Sequence, residues 1–200
     1  PSNFLNAYND RIIKFPVFIK PICGSASIGA KKINDLNELD YCLKNSKVEY
    51  IIQEFMTGDD CDVDAYIDYF SHKAVSIFSK IKLETRIGGA TKTISFKNQK
   101  LFEFVDQIVD LFEFSGPIDL DVFYKNGEYY LSEINPRFGG AYIHAYASGV
   151  DFVELILNNI KGMINQNRVG KYEEDIVMMM YDDIVIKRKE EFFPNRFEIY

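Results

Sequence analysis

Apolar residues recur along this chain in short runs bounded by turn residues and in longer stretches with helical spacing. The short runs predict strands at residues 15–20, 49–55, 61–69, 74–83 and 176–180. Helical spacing predicts helices at residues 35–45, 98–114 and 150–161, the first opened by a capping box of Asp35 and Glu38. Strands at residues 118–125 and 128–135 flank Asn126 and Gly127, which is a strong hairpin signal. Residues 57–60 predict a turn.

Composition narrows the class of protein. The chain has 200 residues, of which 47% are hydrophobic, and this indicates a packed globular protein. A net charge of −7 argues against a nucleic-acid partner. No apolar run is long enough for a membrane span and the first residues lack a secretory signal pattern, so we expect a cytoplasmic protein. Three cysteines without a CxxC pair predict reduced thiols, and two histidines make zinc improbable.

Lys20 ends the first predicted strand and precedes a loop of small residues, PICGSASIG, with glycines at Gly24 and Gly29. A cation beside backbone N–H groups that can approach oxygen atoms closely suits the phosphates of a nucleotide. An ordinary connection between strands would have a similar composition. The loop matches neither the Walker A pattern nor GxGxxG, so a P-loop or Rossmann site is disfavoured.

The strand at residues 51–55 and the turn after it offer a second kind of site. If a base docks there, the backbone of Glu54 to Met56 can pair with adenine edges while Phe55 or Met56 packs on the ring. Asp60 could accept hydrogen bonds from ribose hydroxyls. The alternative is an ordinary core strand followed by an acidic turn.

The segment SEINPRFGG places Glu133, Asn135 and Arg137 at alternate positions near a strand end. Alternate residues of a strand share a face, so one ligand could meet all three. Carboxylate and carbonyl oxygens suit Mg²⁺, and a guanidinium suits phosphate or carboxylate oxygens. A turn with a solvated carboxylate is the alternative interpretation.

The hairpin register decides whether Asp121 can join Glu133 at one ion. A strict two-residue turn pairs Asp121 with Ser132 and sends Glu133 to the opposite face. A three-residue loop or a bulge near Gly127 restores the pairing. We therefore expect Asp121 opposite Glu133, with one such irregularity in the hairpin.

Four segments occur in an order that resembles the ATP-grasp superfamily: FPVFIKP with its loop, IIQEFMTGDDCDVDAY, GPIDLDVFYKNGEYYLSEINPRFGG and ASGVDF. The segment KIKLETRIGGATKTISF is similar to the carbamoyl-phosphate-synthase-like group. The resemblance covers about residues 12–165 and implies an α+β fold whose two lobes have mainly antiparallel sheets and grip a nucleotide. It implies a small lobe with the phosphate loop at residues 1–56, and a large lobe with the metal site and a C-terminal extension at residues 57–200.

The resemblance also implies roles for individual residues. The nucleotide phosphates would contact Lys20, Gly24, Ser25 and Ser27. The base and ribose would contact Gln53, Glu54, Phe55, Met56 and Asp60. Magnesium, normally two ions, with manganese as an alternative, would be held by Asp121, Glu133 and Asn135. Catalytic cations would be Lys20, Arg137 and, less directly, Arg86, with Lys92 near the nucleotide; His144 either contacts substrate or is structural.

The implied reaction is ATP-dependent ligation, in which a carboxylate becomes an acyl-phosphate and an amine or thiol then displaces phosphate. The partners would be ATP and a small carboxylate and amine, and a homodimer is compatible with the resemblance. Only fourteen residues precede Phe15, so the chain resembles a fragment without the family's N-terminal domain. A carboxylase or synthase acting on bicarbonate, a non-catalytic nucleotide-binding module and a structural interaction domain remain as alternatives.

Overall fold

The structure, a computed structural model, describes residues 14–24, 27–86, 89–186 and 188. The strands in this part of the chain are β1 (Val17–Pro21), β2 (Lys31–Ile33), β3 (Tyr50–Glu54), β4 (Asp59–Ile67), β5 (Ala74–Arg86), β6 (Gly89–Phe96), β7 (Gly116–Lys125), β8 (Glu128–Asn135) and β9 (Val177–Met179). The helices are α1 (Leu36–Lys44), α2 (Gln99–Leu111), α3 (Tyr142–Ala147) and α4 (Phe152–Ile160). None of the described helices is long and apolar enough to cross a membrane.

A small antiparallel sheet has the strand order β2-β1-β3. Its core joins Val17, Ile19 and Ile33 to Leu39 and Cys42 of α1. Helix α1 begins as predicted, because the Asp35 side chain accepts a hydrogen bond from the N–H of Glu38. The Glu38 carboxylate in turn accepts from the N–H of Asn34 at 2.8 Å, one residue before the N-cap.

The larger sheet has the strand order β8-β7-β4-β5-β6-β9 and is antiparallel throughout. Alternate residues of its central strands, including Val63 and Leu120, are fully buried and cluster with Leu101 and Val105 of α2. The helical spacing predicted for α2 is confirmed, with its apolar residues facing this sheet.

Helices α3 and α4 lie against the opposite face of the larger sheet. The ring of Phe152 lies 5.6 Å from that of Tyr66, and His144 meets Phe78 edge-on at 5.1 Å. His144 is buried and its Nδ1 lies 2.7 Å from the Thr93 hydroxyl. This face is therefore covered only in part, and its remaining positions carry charged side chains.

The sequence patterns do not predict three of the described elements. Strand β2 has only three residues and α3 only six, which is too short for a periodicity to show. Strand β6 begins at a glycine and has three consecutive polar residues at 91–93, which breaks the alternation expected of a strand. The turn predicted at residues 57–60 is wrong at its end, because Asp59 already pairs with Tyr124 of β7 and starts β4. The cysteines are free thiols, as predicted.

In the β7–β8 hairpin, Asp121 lies opposite Glu133 as expected, but the irregularity that produces this pairing is not at the expected position. Asn126 and Gly127 form a two-residue turn with φ of 54° and 84°, a primed geometry. The register then shifts by one residue, so that Val122 pairs with Leu131 but Asp121 pairs with Glu133. The extra residue is Ser132, so the irregularity is a bulge late in β8, and the expectation of a bulge beside Gly127 is wrong.

Candidate nucleotide and metal site

Six carboxylates line one face of the larger sheet, which we call the acidic face. Strand β4 contributes every second residue of its sequence DDCDVD, and the register places Asp121 beside Asp62 and Asp119 beside Asp64. The bulge adds Glu133 to the same row. The acidic face comprises Asp60, Asp62, Asp64, Asp119, Asp121 and Glu133. Such a density of negative charge requires cations close by.

Lys20 reaches this face from the small sheet. Its Nζ donates to Oε2 of Glu133 at 2.7 Å, although the two residues belong to different sheets. The hydrogen bond from Lys20, joined by one from the Asn135 side chain, lowers the pKa of Glu133. The residue predicted for phosphate therefore lies directly beside a residue predicted for metal.

Lys82, on β5, holds two carboxylates of the acidic face. Its Nζ donates to Oδ1 of Asp121 and lies 2.9 Å from Oδ1 of Asp60. Burial alone would lower the pKa of Lys82, but the charges of Asp121 and Asp60 outweigh burial and raise it. Lys82 is therefore a permanent cation of this site.

Lys80 occupies the deeper part of the acidic face and is fully buried. Its Nζ donates to Asp64 and lies 3.0 Å from Oδ1 of Asp62.

Burial, followed by the charge of Asp62, raises the pKa of Asp119 to about 8, although Arg137 donates to its Oδ2 at 2.8 Å. Burial and the neighbouring carboxylates therefore favour the protonated form of Asp119 more than they would for an exposed aspartate.

Two sets of carboxylates on the acidic face could hold a divalent cation. The closest three among the described residues are Asp62, Asp64 and Asp119, whose ligand oxygens lie within 4.8 Å of one another. All three are buried and each has a cationic partner, because Asp62 and Asp64 hold the Lys80 ammonium and Asp119 accepts a hydrogen bond from Arg137. Asp121 and Glu133 face each other with side chains 32% and 44% exposed, which leaves hard oxygen donors open to an incoming ion. This pair fits magnesium better.

The predicted nucleotide residues lie at the edge of the small sheet. Gln53 and Glu54 pair with Phe18 and Val17 of β1, and the Lys32 ammonium lies 4.8 Å from the centre of the Phe55 ring. Oε1 of Glu54 lies 3.8 Å from Nζ of Lys125 on β7, and this ion pair is a second link between the sheets.

The remaining residues of this set differ in their surroundings. Met56 is half-buried, and Gly24 and Ser27 are exposed in the connection from β1 to β2. Ser25 lies outside the described residues. The described part of the loop therefore leaves Gly24 and Ser27 accessible to a ligand.

Arg86 and Lys92 gather around Glu84 instead of the acidic face. Arg86 Nε donates to Oε1 of Glu84 at 3.1 Å, and Lys92 Nζ donates to Oε2 at 2.5 Å. Arg86 is well exposed. The structure thus places these two predicted cations in a separate surface group, where the last residues of β5 pair with the first half of β6.

Sequence reasoning missed the members of the acidic face that lie between the predicted positions. They are Asp62, Asp64, Asp119, Lys80 and Lys82. Their signal is the alternation of charged and apolar residues in CDVDAY, SKIK and IDLD. Alternation usually marks a solvent-facing strand surface, and only the pairing of these strands shows that the charges face one another.

Comparison with known proteins places the chain in a family. A model of the ATP-grasp domain matches residues 2–141. The chain belongs to the ATP-grasp family. No curated protein sequence matches the chain. Its ATP-grasp fold is of the α+β class with mainly antiparallel sheets, as predicted.

Solved structures share this ATP-grasp fold at low sequence identity. N5-carboxyaminoimidazole synthetase from Staphylococcus aureus, complexed with ADP, is 17% identical at a TM-score of 0.63 over 81% of this chain and 45% of its own. The biotin carboxylase domain of 2-oxoglutarate carboxylase from Hydrogenobacter thermophilus, complexed with MgADP and bicarbonate, is 12% identical at 0.67 over 86% and 42%. D-alanine–D-alanine ligase from Bacillus anthracis, complexed with ATP, is 21% identical at 0.53 over 76% and 53%. The chain thus spans about half of these proteins or less.

Proposed function

We propose that this chain binds ATP with a divalent cation between its small sheet and the acidic face, and uses ATP to activate a carboxylate for attack by an amine or thiol. The observation that carries the proposal is the contact between Lys20 and Glu133 at 2.7 Å. A metal nucleotide needs a cation for its phosphates beside a carboxylate for its ion. These two groups meet here from two different sheets.

Each group would have a separate task. Lys20 would leave Glu133 for the phosphates, and the loop with Gly24 and Ser27 would add backbone donors. Glu133, Asp121 and Asn135 would hold the cation. The end of β3, from Gln53 to Met56, would meet the base. We assign residues 1–56 to the smaller lobe and residues 57–200 to the larger lobe, although residues 1–13 and 189–200, at the two ends of these ranges, lie outside the described part of the chain.

The reaction transfers one phosphoryl group and then releases it. A substrate carboxylate oxygen attacks the γ-phosphorus while the bond to ADP breaks, and the amine or thiol then attacks the acyl carbon and expels phosphate. Arg137 would offset charge on the transferred group, since Asp119 fixes one side of its guanidinium while the side chain stays 56% exposed. A bound magnesium ion would further neutralise the phosphate oxygens. No side chain of the protein has to become a covalent intermediate.

The ligands of the related structures support this proposal at the level of class. One relative was solved with ADP, one with MgADP and bicarbonate, and one with ATP. Because the chain spans between 42% and 53% of those proteins, we propose the reaction class and leave the acid and the amine open.

Nucleotide binding without turnover is a second candidate function. The observation that favours it is the matched length, since the chain spans 45% and 42% of two relatives and the proposed nucleotide and cation residues lie within this chain. ADP formation in the presence of a panel of amino acids and small carboxylates distinguishes the two. Binding without ADP formation with any acid would favour the second candidate.

Glu133→Ala tests the site directly. We expect at least a tenfold loss of MgATP affinity in isothermal titration calorimetry, because the variant removes the most exposed carboxylate of the cation site. Glu103→Ala is the matched control, since Glu103 lies on α2 and accepts a hydrogen bond from Gln99. Equal affinity in all three proteins would contradict the proposed function.

A further inference from the structure

Helix α4 carries apolar residues on two of its sides. Phe152 and Leu155 are buried in the core of the larger sheet. Val153, Leu157 and Ile160 follow one another at intervals of four and three residues, and all three are exposed. Residues with this spacing form one stripe along a helix, which we call the α4 stripe. The α4 stripe therefore faces away from the core.

The exposed apolar surface continues past the end of α4. Met163 and Ile164, which follow the helix, are exposed as well. Tyr69 is exposed beside the last turn of α4, because its N–H donates to Oδ1 of Asn159 at 3.2 Å. Exposed apolar residues that cluster in this way mark an interaction surface, whereas single ones need no explanation.

Charged residues lie along one flank of the α4 stripe and differ in sign between its two ends. Glu154 accepts two hydrogen bonds from Arg168 at 2.8 Å, and Asp151 caps the same end of the helix. Two carboxylates beside one guanidinium leave this end negative. Lys161, at the other end, is exposed and has no ion-pair partner within the part of the chain that the structure describes.

Glu154 and Lys161 lie on the same flank, because each directly follows a residue of the α4 stripe and the two are seven residues apart. One helix thus presents an apolar stripe with a negative group near its start and a positive group near its end. A surface with this distribution is complementary to itself when the second helix runs in the opposite direction.

We propose that the α4 stripe binds the α4 stripe of a second copy of this chain, with the two helices antiparallel across a two-fold axis near Leu157. In this arrangement Glu154 of each copy lies opposite the partner's Lys161 at both ends of the contact. A parallel arrangement would bring like charges together at each end. Antiparallel helices also place opposite ends of their dipoles side by side. The inference goes beyond the proposed function and does not depend on nucleotide binding.

Sedimentation velocity over a range of protein concentrations tests the proposal. We expect a dimer in the wild type, and at least tenfold weaker dimerisation in Leu157→Glu, which places a carboxylate at the centre of the contact. Leu111→Glu is the matched control. Leu111 is 77% exposed on α2, which packs on the other face of the larger sheet, so this variant should dimerise as the wild type does.

Two single charge reversals test the antiparallel arrangement itself. Lys161→Glu would set carboxylates opposite each other, and Glu154→Lys would set ammonium groups opposite each other, so each variant alone should dimerise at least tenfold more weakly than the wild type. In an equimolar mixture each copy supplies the charge that the other lacks. We expect the mixture to form heterodimers at least tenfold more tightly than either variant dimerises, and native mass spectrometry identifies them by mass.

The outcomes decide between a second copy and any other occupant of the α4 stripe. A wild type that stays monomeric up to about 1 mM overturns the proposal, whether or not the variants fold. A dimer that persists in a folded Leu157→Glu variant also overturns it. Charge variants that fail to associate when mixed overturn the antiparallel arrangement. MgATP affinity is measured separately, so a failure of the proposed function leaves these outcomes unchanged.

Discussion

A single methyl group at position 139 decides whether the loop after β8 can lie against the acidic face. A Cβ atom on Gly139 would lie 2.5 Å from Oδ1 of Asp64 and 2.9 Å from Oδ1 of Asp119. Both carboxyl groups are buried and held by Lys80 or Arg137, so they cannot move aside freely. The glycine is required here for close approach, since its φ is not in the left-handed region.

Gly139→Ala should therefore destabilise the protein by roughly 2–4 kcal/mol, the range for a buried clash or a broken ionic network. Thermal and urea unfolding measure this change. Gly140→Ala is the control, because a Cβ at Gly140 meets nothing within 4 Å, and it should change stability by less than about 0.5 kcal/mol. Equal stability of the two variants would show that the loop does not pack on the acidic face.

Among the elements, the end of β4 and the segment after α4 are joined by one buried carboxylate. Asp68 accepts hydrogen bonds from the backbone N–H groups of Phe70 and Ser71 and from Asn159 and Asn165. Burial would raise the pKa of Asp68, but these hydrogen bonds outweigh burial and hold the pKa well below its ordinary value. The ionised side chain thus stabilises the fold.

The stability that Asp68 contributes should depend on pH in one direction. Because its pKa is lower in the folded than in the unfolded state, the contribution is complete above the unfolded pKa of about 4 and is lost as the pH falls towards the folded value. Asp68→Asn should be less stable than the wild type by roughly 2–4 kcal/mol at pH 7, and the difference should shrink below about pH 4. Urea unfolding across this range measures it, with Asp110→Asn as an exposed control. A difference that is constant with pH would contradict the assignment.

The sequence predicts an element well when the residues that determine it lie within a few positions of one another along the chain. The β7–β8 hairpin and the N-terminus of α1 follow from turn and capping residues within a few positions, and both are confirmed. The bulge at Ser132 has no local signal, since a serine can occupy any exposed strand position. The pairing of Lys82 with Asp60 and Asp121 depends on the order of three strands, which no single segment contains.

At the scale of the whole molecule, charged contacts link two sheets whose apolar cores have no residue in common. Among the described residues these links are Lys20 with Glu133 at 2.7 Å and Lys125 with Glu54 at 3.8 Å. Pairs of this exposure are worth about 0–1 kcal/mol each. These two ion pairs therefore contribute little to holding the sheets together, and we expect a ligand bound beside Lys20 and Glu133 to contribute more.

Lys20→Met should separate binding from stability. We expect at least a tenfold loss of ATP affinity by calorimetry, because a phosphate cation is removed, with a change in unfolding free energy below about 1 kcal/mol. Lys44→Met, which removes an exposed pair with Asp40 on α1, should leave both quantities nearly unchanged. A large loss of stability without loss of affinity would assign Lys20 to the fold and not to the ligand.

The bulge at Ser132 changes which residues of β8 face the core. Odd-numbered residues face the core before Ser132 and the acidic face after it. Tyr129, which precedes Ser132, is buried in the core. The extra residue shifts the alternation by one, so Glu133 and Asn135 lie on the same face as Asp121 and Asp119. A regular hairpin with the same turn would bring two such ligands together with one residue fewer between them. The spacing of Asp121 and Glu133 along the chain is therefore not a fixed property of the site, and a motif defined by a constant interval would overlook an equivalent pair in a hairpin without the extra residue.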